Sequence, residues 1–243
     1  MMAIASDTDA IDRFDGSTGA YLGSFATGQA TGTAMTIDQS KGVCYISNFN
    51  AGSIQAWDYN PGQFLNEFST STYGTVRGIA IDNSGNLLLG TTTGIRRISS
   101  TNFALLSTFG NVGVTYTGVE QGADGAYFAV NITSDALERY TSGQALQSAV
   151  GLPPGGGTSL QWQIAIAGTQ GYVTDNLPCF RFNTTASVPV LGTGYTPSLV
   201  DMLGIGVGHT TRRYVSGKQS NVGAIQAFSD LGTSFTTHIK FGR

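Results

Sequence analysis

Charge is scarce in this chain. Lys, Arg, Asp and Glu together make up 11% of its 243 residues, and the net charge is −3; globular domains usually carry about a quarter charged residues. The shortage argues against nucleic acid as a partner, because displacing counterions needs a basic stripe. The closest basic pairs, Arg96-Arg97 and Arg212-Arg213, are adjacent residues that a strand would point to opposite faces. Histidine is limited to His209 and His238, and cysteine to Cys44 and Cys179, which is too sparse for a clustered zinc site. No run approaches the roughly 18 apolar residues of a membrane helix. No helical period persists over ten residues, and Met1–Asp7 lacks the basic region and apolar core of a signal peptide.

Glycine is abundant, at 34 residues, and 40% of the chain is apolar. With so little net charge this is the composition of a folded domain, not of a disordered one. A surface built from hydroxyls and amides is common in secreted all-β proteins, so an extracellular or cell-surface location is expected.

One short phrase recurs six times: an apolar residue, two variable ones, an aromatic or Ile, then a small polar residue. It reads Ile11–Asp15, Ile54–Asp58, Ile95–Ser99, Leu137–Thr141, Cys179–Asn183 and Ile225–Ser229. The fourth positions, Phe14, Trp57, Ile98, Tyr140, Phe182 and Phe228, are separated by 43, 41, 42, 42 and 46 residues. A fixed period of this size signals stacked repeats, none of which buries its apolar face alone.

Within each period, short β-branched and aromatic runs lie between Gly, Asn, Asp and Pro clusters, giving four strands per unit. That is the pattern of a β-propeller. We label the strands a to d from axis to rim. The expected fold is all-β, a six-bladed propeller of four-stranded antiparallel blades forming a single domain over 1–243. The recurring aromatic falls on strand c and is expected to pack between blades. The fifth unit places its strand d at Val188–Leu191. The first unit begins in strand b, with no strand a, and the chain stops inside the last strand d. Either the ring closes with an incomplete blade, or another chain supplies the strand, or the sequence is trimmed from a longer one. Cys44 falls in the second unit and Cys179 in the fifth, on opposite sides of a six-fold ring, so both are expected to be buried free thiols.

The stretch Ile46–Asp58, followed by Gly62-Gln63-Phe64-Leu65-Asn66-Glu67-Phe68, resembles the NHL repeat, and Val76–Leu89 resembles its preceding half. Ile11–Phe25 is similar to repeats of bacterial exported proteins. The resemblance covers nearly the whole chain and implies a propeller; its motifs are structural. NHL-like propellers are also similar to the calcium-dependent lactonases of the gluconolactonase and SMP-30 group. That likeness implies a cation on the axis, held by oxygen ligands from the inner strands. The matching positions here are Thr33, Arg77, Thr117, Trp162 and Leu203. None is a carboxylate or an amide, and Arg77 would repel a cation. Glu120 lies three residues beyond Thr117, a single inner-strand carboxylate.

Nucleophilic catalysis finds no Gly-x-Ser-x-Gly elbow, and Pro153–Thr158 lacks the Lys and the helix of a phosphate loop. Asn131-Ile132-Thr133 and Asn183-Thr184-Thr185 match the glycosylation sequon, a triplet that arises by chance in Thr-rich chains. The loops between strands b and c carry Asn48, Asn131 and Asp175, either as turn formers or as a shallow polar face for a glycan, peptide or protein. Arg77 and Trp162 together could hold an anionic or planar group by charge and stacking. The expected role is non-catalytic binding or scaffolding at the axial mouth, with no cofactor, no metal and no catalytic residue. Two alternatives stand beside it: a metal-dependent hydrolase, lactonase or lyase, and an assembly subunit that oligomerises through an open blade edge.

Overall fold

A computed structural model describes residues 2–5, 10–15, 20–26, 32–48, 51–153, 163–174, 179–192, 194, 200–207, 213–219, 222–228 and 235–241. The regular secondary structure of the described residues is strand, apart from one short 3-10 turn at Ser71–Tyr73. The strands form six antiparallel sheets in chain order. The first holds β1 (Met2–Ala5), β2 (Ala10–Phe14) and β3 (Tyr21–Ala26). The second holds β4 (Gly32–Asp38), β5 (Val43–Asn48), β6 (Ser53–Asp58) and β7 (Gln63–Ser69). The third is β8 (Val76–Ile81), β9 (Leu87–Thr91), β10 (Gly94–Ile98) and β11 (Leu105–Phe109). The fourth is β12 (Tyr116–Gln121), β13 (Tyr127–Asn131), β14 (Ala136–Tyr140) and β15 (Leu146–Gly151). The fifth is β16 (Gln163–Ala167), β17 (Gln170–Thr174) and β18 (Cys179–Asn183). The sixth is β19 (Val200–Val207), β20 (Arg213–Gln219), β21 (Val222–Phe228) and β22 (Phe235–Phe241). Among the described residues, four of the six sheets therefore have four strands, and two have three.

The sheets pack one against the next through their first strands: β4 on β8, β8 on β12, β12 on β16 and β16 on β19, while β1 touches β4. Glycine makes the close approach possible. A Cβ on Gly78 would sit 1.8 Å from the Thr117 carbonyl oxygen, and one on Gly118 would sit 2.9 Å from the Ile164 nitrogen. Farther out, the gaps are filled by side chains. Phe109, Tyr116, Tyr127 and Tyr140 pack with Ala80, Leu88 and Ile95 between the third and fourth sheets. Phe128 and Val130 meet Ile164, Val173 and Phe182 between the fourth and fifth. The recurring aromatic of strand c does pack between sheets: Trp57 lies 5.2 Å from Phe25, Tyr140 lies 5.3 Å from Phe109 and Phe182 lies 5.3 Å from Phe128, ring centre to ring centre.

A second repeated device ties strand c to the turn between strands a and b. Arg97 pairs with Asp82 at 2.5 Å, and 42 residues later Arg139 pairs with Asp124 at 2.6 Å. Asp82 also accepts from the Ser84 and Asn86 backbone N–H groups, so it fixes the turn and the strand together. In the second sheet Ala56 stands in place of the arginine, and Asp38 turns to Ser40 and Lys41 instead.

The expected strand d of the fifth sheet is not formed. Residues 188–191 have no strand pairing, and among the described residues the edge is touched by a backbone bond from Gly192 N–H to the Arg181 carbonyl at 2.7 Å. Pro189 accounts for this, since it has no N–H to give to a ladder. Cys44 and Cys179 are free and fully buried. Burial pushes the Cys179 thiol up to about 12 and the Cys44 thiol higher still.

Candidate ligand-binding mouth

The inner strands are bulged near their starts. In β4 the register shifts between Gly32 and Ala34, in β8 between Val76 and Gly78, and in β12 between Tyr116 and Val119. The intervening residues are Thr33, Arg77 and Thr117 with Gly118. β19 shifts between Val200 and Gly204, a stretch that contains Leu203. A bulge leaves its extra residue without a cross-strand partner and re-aims its side chain. The sheets therefore hold matching positions of consecutive repeats out of the regular ladder, at one end of the axis. In the second sheet a side chain repairs the ladder, with Ser47 Oγ accepting from Ala34 N–H at 3.0 Å and donating to its carbonyl at 3.2 Å.

Arg77 is half-buried, and burial lowers the pKa of its guanidinium. Thr117 is fully buried, and its Oγ1 finds no partner among the described residues. The two stand side by side, because Gly78 abuts the Thr117 carbonyl. Of Thr33 only the backbone is described. Trp162 and Asp175 lie outside the described residues, as does His209, and His238 is placed only as a backbone position in β22.

Glu120 does not join this group. It pairs with Phe128 beside the turn that returns from Gly122 to Ala126, about 10 Å along the strand from Thr117 at 3.3 Å per residue. Part of its surface remains open, yet desolvation pushes its carboxyl up to about 8, opposed only by a hydrogen bond from the Gln121 backbone. A carboxylate in a narrow, protein-walled opening has both properties. Among the described residues it makes no ion pair.

Asn48 and Asn131 are turn formers. Asn48 Oδ1 accepts from Ala51 N–H at 3.0 Å, and Asn131 Oδ1 accepts from Thr133 and Ser134 N–H at 3.0 and 3.1 Å. Both residues are buried, so they shape the loops around the mouth rather than face solvent. Asn131 has a second task. Its Nδ2 donates to Glu138 Oε1 at 2.7 Å, and Glu138 Oε2 takes the Tyr116 hydroxyl at 2.9 Å and that of Tyr140 in a shorter bond. The Tyr116 oxygen accepts in turn from Asn111 N–H at 3.0 Å. Burial is the main cause that raises both phenols, which stay neutral donors. This is a buried carboxylate held by hydrogen bonds alone among the described residues. Glu138 occupies the second position of the recurring phrase, where the second repeat has Gln55, whose Oε1 accepts from Trp57 Nε1 at 3.0 Å. In both sheets this polar residue orients the aromatic two places on. A cleft of about 390 Å³ lies beside the network, lined by Phe109, Gly110, Asn111, Tyr140 and Gln144. Its two rings are only 7% and 2% exposed, too little to stack on a ligand.

Among the described residues no group of three or more His, Cys, Asp or Glu side chains is placed to hold a metal ion, and no helix is long and apolar enough to cross a membrane.

No family model matches the chain, and no curated protein matches it. Solved structures do. A protein of unknown function from Bacteroides caccae superposes with a TM-score of 0.73 over 97% of this chain and 92% of its own, at 11% identity. The β-propeller domain of Cps50 (Swd1) from Myceliophteria thermophila does so at 0.67, over 97% and 83%, at 11% identity. The fold is a β-propeller. Virginiamycin B lyase from Staphylococcus aureus gives 0.64 over 87% of this chain and 71% of its own, at 18% identity. At such identities the likeness carries architecture and leaves chemistry to the site.

Proposed function

We propose that this propeller is a binding or scaffolding module that takes its ligand at the axial mouth around Arg77. The observation that carries the reading is the bulge. It sets Arg77 out of the ladder at the start of an inner strand, half-buried and beside Thr117. A partly desolvated guanidinium is a strong donor to an anionic or planar group. In this reading the six sheets are the six blades of an NHL-type ring, Trp162 supplies the matching position of the fifth blade, and the ligand is a glycan, peptide or protein. The low charge and hydroxyl-rich composition fit a place outside the cell, at a bacterial surface.

The second reading is a lyase or lactonase, favoured by the structural likeness to virginiamycin B lyase. It requires acid–base or metal-ligating groups at the axis, and the described axial positions offer Arg77 and Thr117. One thermal-unfolding screen separates the two, with glycans, peptides and small anions added to the wild type and to Arg77→Ala. A ligand that raises the melting temperature of the wild type but not of Arg77→Ala supports the mouth. Equal shifts in both proteins would overturn it. A stoichiometric metal whose removal by EDTA lowers the melting temperature would favour the enzyme.

A further inference from the structure

Glu120 breaks a rule of its own repeat. It stands three places after the bulge residue Thr117, where the third sheet has Ala80 and the fifth, three places after Trp162, has Ala165. Both alanines are buried, at 1% and 4% exposure, so the fold uses this position for a small apolar side chain. Glu120 puts a carboxyl there, with no ion pair among the described residues and with part of its surface open. β12 is an innermost strand, packed between β8 and β16, so the open part faces the axial space. An ionisable group held where the fold prefers alanine costs stability, and such a departure from a local rule is expected where function requires it.

Arg77 supplies the opposite charge. It lies beside Thr117, three residues of β12 from Glu120, or about 10 Å at 3.3 Å per residue. The intervening Gly118 and Val119 are uncharged. The other elements packed on β12 leave this pair alone. β9 and β16 carry no titratable side chain, and Tyr127 of β13 packs between the third and fourth sheets. On β10, Arg97 is bound to Asp82, and Arg96 to the Thr93 carbonyl and hydroxyl.

We propose that the ligand of the mouth is a short peptide with both ends free, its terminal carboxylate on Arg77 and its terminal ammonium on Glu120. The inference rests on the reading at Arg77 and adds the amine half. Three extended residues span about 10 Å, so a tripeptide matches the separation. The ammonium takes the place of the Glu120 proton, which desolvation otherwise retains near neutrality, and that proton leaves to solvent.

The test is calorimetric titration of the whole 243-residue protein with trialanine, N-acetyl-trialanine and trialanine amide near neutral pH, in two buffers of different ionisation heat. Trialanine should bind saturably and release most of one proton. Each blocked peptide should bind at least about tenfold more weakly, and the acetylated one should release no proton. In Glu120→Gln, trialanine and its acetylated form should bind alike, without proton release. In Arg77→Ala, trialanine and its amide should bind alike. If acetylation changes nothing, while amidation weakens binding only when Arg77 is present, the reading at Arg77 stands and the inference is overturned. If Arg77→Ala still prefers the acid to the amide, both fall. Absence of trialanine binding overturns the inference and leaves the reading to the ligand screen on Arg77→Ala.

Discussion

Replacing Glu120 with glutamine should stabilise the protein in alkaline solution and leave it unchanged in acid. The carboxyl has an ordinary value of 4.5 and is pushed up to about 8 by desolvation. Below 4.5 both folded and unfolded chains hold the proton, and Glu120 contributes no pH dependence. Between 4.5 and 8 the unfolded chain releases the proton while the folded one keeps it. Folding therefore loses stability as pH rises through this window and levels off above it. At about 1.4 kcal/mol per pH unit the full window bounds the loss at about 5 kcal/mol. Partial solvent contact reduces this, and about 2 kcal/mol is the expected size. For a chain of this length that is roughly 4–8 °C in melting temperature. Glutamine keeps the shape and carries no charge to desolvate. The assay is a melting curve of wild type and Glu120→Gln at unit steps from pH 4 to pH 9. The two should agree within about 1 °C at pH 4 and diverge upward to pH 8, with the variant the more stable. Parallel curves, or a wild type more stable than the variant at pH 9, would refute the reasoning.

Gly78→Ala should cost at least about 3 kcal/mol in chemical denaturation or abolish folding, because its Cβ would strike backbone that cannot rotate away. Gly151→Ala, with nothing near the new methyl and no left-handed backbone, should change stability by about 0.5 kcal/mol or less, and equal costs would sink the close-approach argument. Glu138→Leu should cost about 3 kcal/mol by stranding the Asn131 amide and taking from both tyrosine hydroxyls the acceptor they share, leaving them each other and the Asn111 N–H. Glu138→Gln should cost less than half as much, and the reverse order in urea midpoints would count against the network. Cys44 and Cys179 should resist a thiol reagent in the folded protein and react once it is unfolded, since both are buried and hard to ionise; labelling of native protein would contradict their placement.

The repeat was legible because its aromatics have a structural task. Trp57, Tyr140 and Phe182 each fill a gap to the neighbouring sheet, and a task repeated in space leaves a period in sequence. The missing fifth outer strand was legible in principle, through Pro189, but apolar Val188, Val190 and Leu191 outweighed a single lost donor in the reading. The site was harder. Alternation of faces has period two only in a regular strand, and the bulges at Arg77 and Thr117 break it where direction matters most. Thus Glu120, on the same inner strand as Thr117, stands near the turn at that strand's other end. The Glu138 network left one signal, a polar residue placed two before an aromatic in both Gln55-Ala56-Trp57 and Glu138-Arg139-Tyr140. Its partners, Tyr116 and Asn131, come from other strands, and no spacing along the chain announces them.

The contrast between glycine at the inner strands and aromatic rings farther out has a geometric result. Where Gly78 and Gly118 stand, neighbouring sheets are separated by little more than main chain. Toward the rim the same sheets are held apart by Phe109, Tyr127 and Tyr140 on one side and by Phe128 and Phe182 on the other. Each space is a wedge, thin at the axis and thick at the circumference. A row of sheets spaced by wedges must curve, and the steepness of the size gradient sets how tightly. The curvature of this molecule is thus written as a gradient of residue volume across each sheet, and trading glycine for bulk on the inside would straighten the row before it exposed any core.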